Sequence, residues 1–134
     1  MSYEVMPVSI LIVDDEPDVA ILFRQQFRRE AREGVYVLHF ALSAPEALER
    51  LAGEIEPQLI VILSDINMPG MDGLALLREI KKRRPELPVM MLTAYGDDER
   101  RRRAAEGGAA DFVTKPVDFD FLKTRLRELH GPLS

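Results

Sequence analysis

Val8-Ser9-Ile10-Leu11-Ile12-Val13 is an almost unbroken apolar run, and Asp14-Asp15-Glu16 follows it directly. A short, β-branched, nearly continuous apolar run reads as a strand buried on both faces, which is the habit of parallel sheets. Similar runs occur at Val35–Phe40, Leu59–Leu63 and Val89–Leu92, with a shorter one at Asp111–Thr114. Helical patterns lie between them. Val19, Leu22, Phe23, Phe27 and Ala31 recur at a spacing of three to four, and Gly34 stops that segment. Ser43-Ala44-Pro45-Glu46 is a capping box with Pro in the tolerated first turn, ahead of Ala47, Leu48 and Leu51. Asp72 caps the next helix, with Leu74, Leu77 and Ile80 inward and Pro85 and Pro88 at its exit. Asp97, Asp98 and Glu99 suit a helix start, where the backbone dipole favours negative charge, and Gly107-Gly108 ends that helix. Asp118 caps the last helix, with Phe119, Leu122, Leu126 and Leu129 inward and Gly131-Pro132 as a stop. Five strands alternating with five helices predict right-handed βαβ crossovers and an α/β, doubly wound parallel sheet.

Composition sets the outer bounds. The chain has 134 residues, 46% of them hydrophobic and 31% charged, which fits one domain with a real core. The expected division is a tail at 1–7, one domain at 8–130 and a tail at 131–134. No apolar run approaches the roughly 20 residues of a membrane helix. The first seven residues carry Glu4 and no positive n-region, unlike a secretory signal. There is no Cys, which rules out disulfides and thiolate metal sites and is compatible with a reducing cytoplasm. A net charge of −5 argues against direct, non-specific binding to nucleic acid or to an anionic membrane.

Sites in open α/β sheets form outside the carboxyl ends of the strands. The residues there are Asp14, Asp15 and Glu16; Ser64, Asp65, Ile66 and Asn67; Thr93, Ala94 and Tyr95; and Thr114, Lys115 and Pro116. Acidic, hydroxyl and cationic groups thus converge on one rim. Asp14, Asp15 and Asp65 cannot all be ionised close together without a counter-charge. Mg²⁺, held by carboxylates and phosphate oxygens, supplies one. Asp65 is then the nucleophile that forms an acyl phosphate, and Lys115 and the Thr93 hydroxyl serve the phosphoryl oxygens.

Asp14-Asp15, Asp65 with Met68-Pro69-Gly70-Met71-Asp72-Gly73, Thr93-Ala94 and Lys115-Pro116 together resemble the signature of response-regulator receiver domains. The resemblance covers Ile10 to about Leu129. It implies a flavodoxin-like sheet of order 2-1-3-4-5 and a cytoplasmic switch rather than an enzyme with a separate substrate. Phosphate would come from a sensor histidine kinase or a histidine phosphotransfer protein. In the terms of the resemblance, Asp15 is the direct Mg²⁺ ligand and Asp14 an acidic partner acting through water. Asn67 gives its backbone carbonyl to the metal. Thr93 is the switch hydroxyl, Lys115 pairs with phosphate, and Phe112 holds the place of the switch aromatic, where the family more often has Tyr. Asn67 and Tyr95 flank the approach of the hydrolytic water and so set signal lifetime. The fourth helix, fifth strand and fifth helix form the face for an output domain or effector protein, and a phosphorylation-dependent homodimer is among the expected assemblies.

Plainer readings stand beside these. Asp14-Asp15 alone reads as a helix cap after a strand, Lys115 alone as a surface cation, and Phe112 as core. Arg100–Arg103 reads first as a solvated face balanced by the preceding acids, and second as a partner surface. His39 and His130 are lone. A phosphatase of the haloacid-dehalogenase type would want a second Asp two residues after the nucleophile, where this chain has Asn67. A flavin-binding module would want a Ser, Thr and Gly loop after the first strand, where this chain has Asp14-Asp15-Glu16.

Overall fold

The computed structural model describes residues 7–130. The tail at 131–134, with the Gly131-Pro132 stop, and all of the 1–7 tail except Pro7 lie outside them. Strands β1 (Val8–Val13), β2 (Tyr36–Ala41), β3 (Leu59–Asp65), β4 (Val89–Thr93) and β5 (Asp111–Thr114) form one sheet of order β2-β1-β3-β4-β5. Every pairing is parallel. The helices are α1 (Pro17–Gln26), α2 (Arg28–Arg32), α3 (Ala44–Ala52), α4 (Gly73–Arg83), α5 (Asp98–Glu106) and α6 (Phe119–His130).

Alternation along the strands sorts the core into two layers. Leu11, Val13, Ile62, Val89 and Met91 face α3, α4 and α5. Ile10, Ile12, Val61, Leu63, Met90 and Leu92 face α1 and α6 through Phe23, Phe27, Leu122 and Leu126. Each fully buried large side chain removes apolar surface worth about 1.5–3 kcal/mol, so the two layers hold the strand ends in fixed register. Because β2 and β3 flank β1 on opposite sides, the chain reverses its winding between β1 and β3, and a crevice opens above their carboxyl ends.

Three expectations are corrected. Among the described residues there are six helices, because the first helical pattern breaks at Phe27 (φ −103°, ψ 15°). Phe27 stays 1% exposed across that turn. Its ring stacks on Phe23 and meets Tyr36 and Phe119 edge-on, so packing of the ring outweighs continuity of the helix. Leu22 and Leu129 match the inward periodicity but face solvent. A single helix buries a stripe narrower than its apolar residues span, and Phe23 and Leu126 already fill those stripes. The capping box at Ser43 is present with one change: Glu46 N–H donates to Ser43 Oγ at 3.2 Å, while the Glu46 carboxylate accepts from Leu42 N–H at 2.9 Å. His39 lies in the edge strand, as expected, with Nε2 2.9 Å from the buried Ser9 Oγ.

Candidate functional site

The carboxyl ends of β1, β3 and β4 bring the predicted residues together. Strand β3 runs through Asp65 and β4 through Thr93, so both are fixed by sheet hydrogen bonding rather than by loops. Asp14, Asp65 and Thr93 are buried, Asp15 half-buried. Each of Asp14, Asp15 and Asp65 presents a carboxylate oxygen within 4.8 Å of the others. Lys115 follows β5, and its backbone N–H donates to the Thr93 carbonyl at 2.8 Å. Its Nζ lies 2.8 Å from Asp14 Oδ2 and 3.2 Å from Asp65 Oδ2. The Lys115-Pro116 peptide is cis. The Glu16 N–H donates to Asp14 Oδ1 at 3.0 Å, and the Asn67 N–H to Asp65 Oδ1 at 3.2 Å.

Burial pushes the Asp65 carboxyl above the ordinary carboxylate range and the charge of Asp14 adds to this; Lys115 and the Asn67 N–H oppose it without cancelling it. Burial works against the Lys115 ammonium, but its bond to Asp14 and the charges of Asp65 and Asp14 outweigh that and raise it. Three carboxylates against one ammonium leave two negative charges when all are ionised. An all-oxygen donor set short of positive charge fits a hard divalent cation such as Mg²⁺.

The remaining expected residues lie around this cluster. Thr93 lines a cleft with Tyr95, Asp97, Arg101 and Thr114. Tyr95 is 94% exposed, so its ring does not cover the carboxylates in this conformation. Phe112 is half-buried with the Arg101 guanidinium 4.9 Å from its ring centroid. Arg100 lies 3.6 Å from Asp72. Two of the four arginines read as a solvated face therefore tie α5 to its neighbours.

Two features escaped the sequence reading. The Asn67 side chain donates to the carboxylate of Asp97, at 2.9 Å. Gly73 sits so close to Asp65 that a Cβ there would lie 2.3 Å from the Asp65 carbonyl oxygen. Asp97 was legible only as a helix-start acid, and Gly73 only as a turn residue.

Residues 10–127 match the family model of the response regulator receiver domain. The chain belongs to the response regulator receiver domain family. This receiver domain is 41% identical over 111 residues to the DNA-binding transcriptional regulator NtrC of Escherichia coli, covering 83% of this chain and 22% of that protein. It is 40% identical over 119 residues to the response regulator protein PilR of Pseudomonas aeruginosa, covering 89% of this chain and 24% of that one. The chain thus spans about a quarter or less of these relatives. Among solved structures, the receiver domain of NtrX from Brucella abortus superposes with a TM-score of 0.77 at 35% identity, covering 90% of this chain and 96% of that one. A receiver domain protein from Clostridium thermocellum gives 0.80 at 28% identity, covering 91% and 93%. No helix among the described residues is long and apolar enough to cross a membrane.

Proposed function

We propose that this receiver domain accepts a phosphoryl group on Asp65 from the phospho-histidine of a sensor histidine kinase or a histidine phosphotransfer protein. An Asp65 carboxylate oxygen attacks phosphorus, the phosphorus–nitrogen bond breaks, and the electron pair returns to the donor imidazole. The observation that carries this reading is the Lys115 ammonium bonded at once to Asp14 and Asp65 inside the three-carboxylate cluster. Lys115 neutralises the incoming oxygens, and the Thr93 hydroxyl at the neighbouring strand end hydrogen-bonds one of them, in keeping with a transfer governed by positioning and electrostatics. Asp14, Asp15, Asp65 and the backbone carbonyl of Asn67 would hold Mg²⁺, which supplies counter-charge to the phosphoryl oxygens.

The domain turns over no separate substrate. Its output is the face formed by α5, β5 and α6, where movement of Thr93 and repacking of Phe112 under Arg101 would be read by an output domain, an effector protein or a second copy of the chain. The net charge of −5 is against direct contact with nucleic acid or membrane. Asn67 and Tyr95 set how long the phosphate stays; since Tyr95 stands in solvent, shielding requires the segment after Thr93 to swing inward.

Incubation with Mg²⁺ and acetyl phosphate should add one hydroxylamine-labile phosphoryl group to the intact chain, and Asp65→Asn should abolish it. Stoichiometric acyl phosphate on the substituted chain would place the acceptor elsewhere. Turnover of the donor without retained phosphate would favour a phosphatase.

A further inference from the structure

Asp97 occupies the N-cap position of α5 and does not cap it with its side chain. Elsewhere in the molecule Ser43 and Asp72 do what N-cap residues ordinarily do, accepting a hydrogen bond from a backbone N–H of the first turn. The Asp97 carboxylate instead accepts from Asn67 Nδ2 at 2.9 Å, across 30 positions of sequence. The backbone N–H of the same Asn67 donates to Asp65 Oδ1 at 3.2 Å. Asn67 is thus anchored twice, by its main chain on Asp65 and by its side chain on the segment leading into α5. An ionised carboxylate only accepts, so it selects the NH₂ end of the amide and fixes which way Oδ1 points.

We propose that Asp97 is a positioning residue for loss of the phosphoryl group. By holding Asn67 Nδ2, it presents Asn67 Oδ1 as the acceptor that orients the attacking water. This rests on the reading of Asp65 as phosphoacceptor. Water attacks phosphorus, a new phosphorus–oxygen bond forms, and the bond to the Asp65 oxygen breaks with its electron pair returning to the carboxylate. One water proton stays on the new phosphate hydroxyl, and the other passes to a phosphate oxygen or solvent. The hydrogen bond also ties signal lifetime to α5: a partner that draws the start of α5 away from Asn67 slows the hydrolysis and prolongs its own signal.

The test is the decay of phosphorylated protein after removal of acetyl phosphate at fixed Mg²⁺, for the unchanged chain, Asp97→Ala, Asp97→Asn, Asn67→Ala and the double Ala variant. Asp97→Ala should slow decay by about threefold to tenfold, the range one positioning hydrogen bond supports. Asp97→Asn keeps an acceptor oxygen and should restore the rate. In the Asn67→Ala background, Asp97→Ala should change nothing further. A second readout needs no phosphate: the Asn67 side-chain amide resonances should move in Asp97→Ala and return in Asp97→Asn. Unchanged decay in Asp97→Ala, failure of Asp97→Asn to rescue, an additive double variant, or an Asn67 amide indifferent to Asp97 each overturns the proposal. Absence of any acyl phosphate on the unchanged chain overturns the phosphoacceptor reading itself, and this one with it.

Discussion

Gly73 shows how closely Asp65, the proposed phosphoacceptor, is built into the fold. The turn before α4 has two duties here. Asp72 caps the helix, accepting from Ala75 N–H at 2.9 Å, and Gly73 lets the helix start against the end of β3. An added Cβ would meet the Asp65 carbonyl oxygen at 2.3 Å and Ile66 Cα at 2.7 Å, and both obstacles are backbone. Replacing Gly by Ala gains about 1 kcal/mol of helix propensity. Overpacking against an immovable backbone costs about 1–3 kcal/mol, and the loss should win. Gly73→Ala is therefore expected to lower stability, by up to about 2 kcal/mol in denaturant titration, and to slow acyl-phosphate formation, because the displaced atoms carry Asp65. Unaltered stability would mean that the start of α4 can retreat freely from β3.

At the scale of the element, α5 is the one that the proposed switch would move. It has one buried residue, Ala104, whereas α4 buries Gly73, Leu74, Leu76, Leu77 and Ile80. What holds α5 is largely polar: Asn67 to Asp97, Arg100 to Asp72, and Arg101 over Phe112. An exposed ion pair, hydrogen bond or cation–π contact contributes about 0–1.5 kcal/mol, so these ties yield to modest forces. Two of the three run to the segment that follows Asp65, where a phosphoryl group would act first. A beryllofluoride mimic of that group should raise hydrogen exchange along Asp98–Glu106 and perturb Asp111–Thr114, while α4 stays protected. A change confined to α1 and α3 would contradict this route. Removing the tie in advance, by Arg101→Ala, should raise exchange in α5 without the mimic.

For the whole molecule, the buried Asp65 carboxylate is a cost that the two core layers support. The Asp65 carboxyl is raised above its ordinary value of 3.8 in the fold. A raised carboxyl stabilises the fold fully below the unfolded value and loses that contribution as pH rises through the folded one. Above that raised value the ionised Asp65 carboxylate opposes folding, and a divalent cation that bound only the native site would relieve it. Melting in chelator should show Asp65→Asn above the unchanged chain at pH 7, with the gap closing toward acid pH. Mg²⁺ should raise the melting temperature of the unchanged chain more at pH 7 than at pH 5, and Asp15→Ala should lose most of that shift. An equal Mg²⁺ shift in both proteins would place the cation elsewhere. With no Trp in the chain, a thermal or calorimetric titration serves as the readout.

By itself the sequence determined the layers and the rim. A run such as Val8–Val13 can be satisfied only by burial on both faces, and alternation with helical stretches leaves the parallel sheet as the way to bury five of them. Once the strands are parallel, their ends share one side, so Asp14, Asp65, Thr93 and Lys115 were legible as neighbours although 101 positions separate the first from the last. Tertiary structure alone decided the rest. The break at Phe27 depends on rings from α1, β2 and α6 meeting in three dimensions, which local periodicity does not encode. The solvent-facing Leu22 and Leu129 match the inward period and lose their places to Phe23 and Leu126. The Asn67–Asp97 bond and the contact of Gly73 with Asp65 pair residues whose local chemistry is already satisfied by simpler roles. Only the distance between two folded elements shows that those roles are not the ones they hold.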